Sequence, residues 1–360
     1  MSYAKGIYKI FTSNIASELI KKLDTKFDFY EIDGSFIIST ITDKAKENSY
    51  VASFYTLLID YSKDELPKID SKAQRVVANL TIKIFANFFK YTQIDKAQIL
   101  NNYLLSVNFF AKEWEYLDIS KLENVAINRY PNYALIIRSV NRKQNPKLFK
   151  NLENSGWIPI VIKQVYLFAN KEKCSKKRDT KKDMKLLNSK DFIYEKLEYN
   201  NKEGIAKAYE FYNELYIKKY STHNIQFTVK YIEEMLKSNL LTIYMLVDIK
   251  KSHYVGVVAL SEDEKTITIP MVGYDMSYPV KDALYRRLII FGLNFAMKKE
   301  KLLNLSAGAP EFKRSRGGEA ELEYMFVKVS HLPFIRRLGW RVIYFLSNKF
   351  YAPMLIRLKL

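Results

Sequence analysis

The residues whose types and spacing could carry chemistry lie between positions 266 and 329. An alternating apolar run, Thr266-Ile267-Thr268-Ile269-Pro270-Met271-Val272, ends in Gly273-Tyr274-Asp275, so a carboxylate stands where a strand finishes. Tyr285 and Arg286 follow near the start of a helical run, 282–299. A short apolar run, Leu302-Leu303-Asn304-Leu305, breaks into Ser306-Ala307-Gly308-Ala309-Pro310, and Phe312-Lys313-Arg314-Ser315-Arg316-Gly317-Gly318 comes next. A last strand-like run, 322–329, completes the set. Strand, helix, strand, small-residue basic loop, strand is the order in which an α/β fold builds a site at its strand ends. Plainer readings stand beside it. Asp275 serves equally as a turn or N-cap residue, Tyr285 as a buried helix tyrosine, and Lys313 with Arg316 as a solvated basic turn.

These positions need elements to hold them. Residues 7–11 and 35–40 read as strands, the second preceded by an Asp33-Gly34 turn signal. A helix is expected over 73–91, with Val76, Val77, Leu80, Ile84, Phe88 and Phe89 forming one apolar face. A second helix is expected around 99–111. Residues 124–137 read as a strand region broken at Tyr130-Pro131, 146–154 as a helix stopping at Gly156, and 157–168 as a strand. Further on, 204–220 is a helix carrying Tyr209, Tyr212, Tyr216 and Tyr220 along one side, and 228–238 is a helix capped by Thr228. Strands 241–248 and 254–260 lead into 266–272 as a meander. Strand–helix–strand therefore occurs once in each half of the chain.

The bulk composition narrows the classes. At 360 residues two domains are expected, and 48% hydrophobic with 27% charged residues describes a folded globular chain. Gly 11 and Pro 9 are too few for a turn-dense all-β sandwich. One cysteine, Cys174, excludes an internal disulfide, and three histidines in unrelated contexts make a His-built zinc centre improbable. Neither a Gly-x-x-x-x-Gly-Lys-Ser/Thr loop nor Gly-x-Gly-x-x-Gly is present, which disfavours P-loop and Rossmann chemistry. The amino terminus lacks a signal-peptide core and no apolar run reaches a spanning length, so a cytoplasmic location is the expectation. The segment 170–190, with nine Lys/Arg against three acids, reads as a linker or surface loop. The expected domains are thus 1–170 and 191–360, joined by a basic linker at 171–190.

From about residue 204 onward the chain resembles the GNAT-superfamily branch that includes Fem-type peptidyltransferases and related two-domain acyltransferases. The residues that carry the resemblance are Gly256-Val257-Val258, Gly273-Tyr274-Asp275, Leu284-Tyr285-Arg286, and Asn304-Leu305-Ser306-Ala307-Gly308 followed by Phe312-Lys313. The resemblance implies an α/β fold with mixed sheets, built as two GNAT-like domains in tandem, the N-terminal one degenerate. It implies transfer of an acyl, acetyl or aminoacyl group from a carrier to an amine, without a metal. In that chemistry an amine loses a proton as it attacks a carbonyl, and the resulting oxyanion must be stabilised. Asp275 is the candidate to bind or deprotonate the amine, Tyr285 the candidate acid. Lys313 and Arg316 are candidates for a donor phosphate or the developing negative charge. Tyr274, Arg286, Asn304, Ser306, Gly308 and Phe312 are the expected binding residues. The chain departs from ordinary acetyltransferases before the central helix, where Met276-Ser277-Tyr278-Pro279-Val280-Lys281 replaces an Arg/Gln-x-x-Gly-x-Gly/Ala loop. Without those glycines backbone amides approach a pyrophosphate less closely. Acyl-CoA, another acyl carrier and aminoacyl-tRNA all stay open as donor.

The net charge of +19 favours anionic partners without choosing among them: a carrier-linked or small anionic substrate, a cell-envelope precursor, tRNA or lipid. A Lys-rich composition accounts for it equally well. From 328 to 360 there are seven Lys/Arg, no acids and interspersed aromatics. That stretch suits either peripheral contact with an anionic membrane or a helix and strand closing the second core. The alternative to an enzyme is a non-catalytic GNAT-like module that binds RNA or another polyanion.

Overall fold

A computed structural model describes residues 2–43, 48–68 and 70–358. Contacts divide the chain into two units, Met1–Ile162 with Ser221–Gln226 and Glu323–Met354, and Lys163–Tyr220 with Phe227–Leu322 and Leu355–Leu360. Each holds strands and helices, so the fold class is mixed α/β as expected.

In the first unit, strands Lys26–Ile32 and Ser35–Thr42 form a hairpin in which Asp33 and Gly34 have φ of 50° and 80°. Two successive left-handed residues make a turn whose twist suits a hairpin. Strand Ala97–Leu100 pairs antiparallel with Ser35–Thr42 and parallel with Ala134–Val140, which in turn pairs antiparallel with Tyr324–Lys328. Successive strand residues point to opposite faces, and two cores result. Leu135, Ile137 and Phe326 join Trp114, Phe149 and Trp157 on one face. Ala134, Ile136, Met325 and Val327 join Phe54, Phe89, Trp340 and Ile343 on the other.

In the second unit, strands Phe192–Lys196, Thr242–Asp248, His253–Glu262 and Thr266–Tyr274 run antiparallel in that spatial order. Thr266–Tyr274 also pairs parallel with Leu302–Asn304. Helix Leu284–Lys298 connects those two and lays Leu288, Ile289 and Leu293 on the core. Helix Lys202–Tyr212 packs against Thr266–Tyr274 so closely that a Cβ on Gly273 would lie 2.4 Å from the backbone of Phe211. Glycine is required there by contact, since its φ is ordinary.

Several elements differ from expectation. Residues 7–11 belong to a helix, Tyr3–Thr12, that buries Ile7, Ile10 and Phe11. The expected helix at 99–111 begins instead with strand Ala97–Leu100, all four residues buried; short apolar runs carry no decisive period. Residues 124–129 belong to helix Ile119–Arg129, and the strand starts only at Ala134. The basic stretch 170–190 is folded: helices Lys171–Lys176 and Arg178–Met184 bury Cys174, Thr180 and Asp183. Beyond Pro333 the chain is helical through Leu358 with no strand, and Trp340 and Ile343 enter the first unit's core, not the second's.

The long helix Lys72–Tyr91 forms as expected, but of its expected apolar face only Phe89 and, in part, Phe88 meet the core. Ala86 and Phe89 are buried and Ile82, Phe85 and Phe88 partly so, whereas Val76, Val77, Leu80 and Ile84 are 59–68% exposed. The helix has apolar residues on two sides, and only one side meets the core. Phe89→Ala is therefore expected to cost about 3–5 kcal/mol, and Leu80→Ala to stay within about 0.5 kcal/mol of wild type. Denaturant midpoints of the two variants check the assignment, and equal losses would overturn it.

Candidate active site

The site is built from the ends of strands His253–Glu262 and Thr266–Tyr274 and from the helix above them. A register shift between Tyr254 and Gly256 bulges the first strand beside the site, and Asp275 N–H donates to Val255 O at 2.9 Å. Helix Lys202–Tyr212 passes directly into a π-helical turn, Asn213–Lys218. Such turns occur mostly as single insertions in α-helices and frequently at functional sites. Together these elements enclose a cavity of about 530 Å³.

Its lining is acidic. Glu203, Lys207, Glu210 and Glu214 come from the helix and its π-turn, and Asp275, Tyr274, Tyr254 and His253 from the strand ends. Lys207 Nζ reaches Glu210 at 2.8 Å, and Glu214 pairs with Lys218. Asp275 Oδ1 accepts from Ser277 N (2.9 Å) and Ser277 Oγ (2.6 Å), so the turn role of this residue is real and coexists with its place in the cavity wall. At the rim Tyr278 donates to Asp248 at 2.8 Å and meets His253 Nε2 at 3.1 Å.

The remaining expected site residues gather elsewhere, around the turn after strand Leu302–Asn304. Asn304 Oδ1 accepts from Ser306 N at 2.8 Å, and Lys163 Nζ donates to Ser306 Oγ at 3.1 Å. Ser306, Gly308 and Ala309 have φ of 56°, 82° and 48°, and nothing lies within 4 Å of the Cβ position of Gly308. Lys313 is buried, and its Nζ donates to the carbonyls of Leu305 (2.7 Å), Ser306 (3.2 Å) and Ala307 (2.7 Å). This lysine fastens the turn, and it is not among the residues that line the acidic cavity. Burial, with a smaller push from Lys163, brings its amine down to about 7.

Arg286 and Arg316 have a shared role that sequence spacing did not indicate. Both bind the fully buried carboxylate of Asp183: Arg286 Nε to Oδ1 at 2.8 Å, Arg316 Nε to Oδ2 at 2.7 Å. Arg316 further stacks on the ring of Phe312, 3.6 Å from its centroid. Neither guanidinium is a bare charge waiting for phosphate. Tyr285 lies between the two groups of residues, its ring 6.2 Å from Tyr274 and 5.2 Å from Phe312. Burial pushes its phenol up to about 12, so it keeps its proton at neutral pH.

The glutamates of the cavity have a plain signal in the sequence. Residues 203, 207, 210 and 214 recur at four-, three- and four-residue steps, one face of a helix. A tyrosine stripe in the same helix is the more conspicuous pattern. Tyr212 is indeed buried, stacking on Tyr216 with ring centroids 5.1 Å apart. No group of His, Cys, Asp or Glu able to hold a metal occurs among the described residues.

Two mixed α/β units, the second with a meander, a central helix and a strand-end cavity, make up the fold. The chain matches no family model and no curated protein. Among solved structures it is similar to the C-terminal domain of a putative lysylphosphatidylglycerol synthetase from Agrobacterium fabrum. That pair shares 11% identity with a TM-score of 0.53, over 96% of this chain and 98% of that one. L-PGS from Bacillus licheniformis is similar to the same degree, at 11% identity and TM-score 0.53 over 95% and 96%. FemX aligns over 69% of this chain and 83% of its own, at 8% identity and TM-score 0.49.

Two outcomes follow from the buried charges. Asp183→Asn strands two guanidinium groups and is expected to cost about 3–5 kcal/mol, read from chemical denaturation. For Lys313 the folded amine titrates near 7 and the unfolded one near 10.5, so between those values the unfolded chain binds the extra proton. Unfolding free energy then rises with pH. The stability of wild type relative to Lys313→Met should climb from pH 7 to 10 and stay flat below about pH 6; parallel curves would show an unshifted lysine.

Proposed function

We propose that this protein is an acyl- or aminoacyltransferase that holds an amine-bearing substrate in the acidic cavity at Asp275. The observation that carries the reading is the charge of that cavity. A chain of net charge +19 places Glu203, Glu210, Glu214 and Asp275 around one strand-end concavity, where Lys207 pairs with Glu210, Lys218 pairs with Glu214 and His253 adds an imidazole ring. Carboxylates at such a place attract a cationic amine and accept its proton. The fold likeness to a lysylphosphatidylglycerol synthetase domain, whose product name joins an amino acid to an anionic lipid, supports the same direction.

In the proposed reaction the amine lone pair attacks the ester or thioester carbonyl carbon of a carrier-borne acyl group. The C–N bond forms and the carrier C–O or C–S bond breaks. The cationic amine gives one proton through Asp275 to solvent before it attacks and its second to Asp275 afterwards; the departing oxygen or sulfur takes a proton from Tyr285, which solvent restores as Asp275 releases its own. The oxyanion is met by the small-residue turn at Ser306 and Gly308, which Lys313 keeps in shape. Asn304, Phe312, Arg286 and Arg316 support that turn and its neighbours; their contribution is positioning. The donor class is acyl-CoA, another acyl carrier or aminoacyl-tRNA, and the acceptor side is anionic or carrier-linked. No metal is required by these steps.

Calorimetry with lysine amide and a short diamine tests the cavity directly. Wild type is expected to bind, and Asp275→Asn to bind at least about tenfold more weakly, with turnover of carrier-borne donors falling about 10²–10⁴-fold. Absence of amine binding, together with tRNA binding that weakens steeply as salt rises, would instead support the polyanion-binding module.

A further inference from the structure

The first unit leaves half of one helix in solvent. Lys72–Tyr91 packs on the core through its last turns, yet Val76, Val77, Leu80 and Ile84 on another side are 59–68% exposed. A helix with apolar residues on two sides normally buries both. Its charges have one sign: Lys72, Arg75, Lys83 and Lys90 lie on it, and no acid occurs from Ser71 to Ile94. At 20 residues it extends about 30 Å.

A second element of the same kind adjoins it. Helix Phe334–Leu346 meets the end of the first where a Cβ on Gly339 would lie 2.5 Å from Thr92 Oγ1. Phe345 and Phe350 are 56% and 59% exposed and touch edge to face, ring centroids 5.8 Å apart. Arg341 and Lys349 are exposed in the same segment, which contains no acid.

We propose that these two helices form a docking face for an anionic phospholipid surface. Exposed aliphatic and aromatic side chains enter the boundary between headgroups and acyl chains, and lysines and arginines meet the phosphates. The charge pattern selects this occupant over others. A second copy of the chain would set bases against bases. A nucleic acid would satisfy the lysines but leave Val76, Leu80 and Ile84 uncovered, since aliphatic side chains do not stack bases. The inference rests on this surface alone and not on the reaction proposed for the acidic cavity.

The test is co-sedimentation of the full chain with large vesicles, either of phosphatidylcholine alone or mixed with phosphatidylglycerol. Wild type is expected to bind the mixed vesicles and not the neutral ones. Leu80→Asp with Ile84→Asp should lower binding by about tenfold or more, and Phe345→Asp should lower it independently. Thermal unfolding of these variants should match wild type, because the altered side chains are exposed; Val76→Ser with Leu80→Ser is the milder pair if it does not. Failure to bind phosphatidylglycerol vesicles overturns the proposal, as does binding that salt abolishes but these substitutions leave unchanged. Sedimentation velocity distinguishes the remaining occupant: a dimer that Leu80→Asp dissociates, without vesicle binding, would make this a self-association face.

Discussion

Asp183 is the carboxylate on which the second unit's loop geometry depends. It is wholly buried and shared by two guanidinium groups, one from helix Leu284–Lys298 and one from the turn after helix Pro310–Ser315. A buried charge is tolerated only when paired and hydrogen-bonded, so these three segments must arrive together or not at all. Lys313 adds a second fastening by gathering three carbonyls of the preceding turn. The segment most easily read as a solvated tether, 170–190, thus supplies the carboxylate that fixes the basic loop. Thr180 completes the join by donating to Arg316 O at 3.2 Å.

Charge is distributed in this molecule by purpose more than by amount. The basic residues of the loop are consumed internally by Asp183, by carbonyls and by the ring of Phe312. Four of the acids, Glu203, Glu210, Glu214 and Asp275, gather instead around one cavity. A cavity wall made from a helix face and a π-turn presents Glu203, Glu210 and Glu214 to the same space as Asp275. The cationic character of the whole chain and the anionic character of its cavity are therefore separate facts with separate consequences. One acts at long range on encounter, and the other acts only within the cavity.

How much of this was legible in the sequence varied by element. The meander, the central helix and the strand at 158–168 were readable because their periods are long and clean. Glu203 to Glu214 were equally readable, but a more conspicuous tyrosine stripe shares the helix. Asp183 was not, because nothing in a run of lysines says which acid will be buried; that is decided by partners about 100 and 130 residues away. Val76 and Leu80 show the opposite failure. Helical spacing groups Val76, Leu80 and Ile84 with Phe88 and Phe89, yet it cannot say which of them find a core, and here Phe89 does, beside Ala86, while the first three stay in solvent.

The first unit is also discontinuous along the chain, and that has a consequence for its birth on the ribosome. Phe54 and Phe89 share a core with Trp340 and Ile343, and strand Ala134–Val140 is flanked by residues 324–328. A nascent chain that has exposed only its first 160 residues holds an open strand edge and an unfilled apolar trough. Such a state is held until residues 324–343 have been made, a delay that invites chaperone capture and sets this unit apart from domains that close as they emerge.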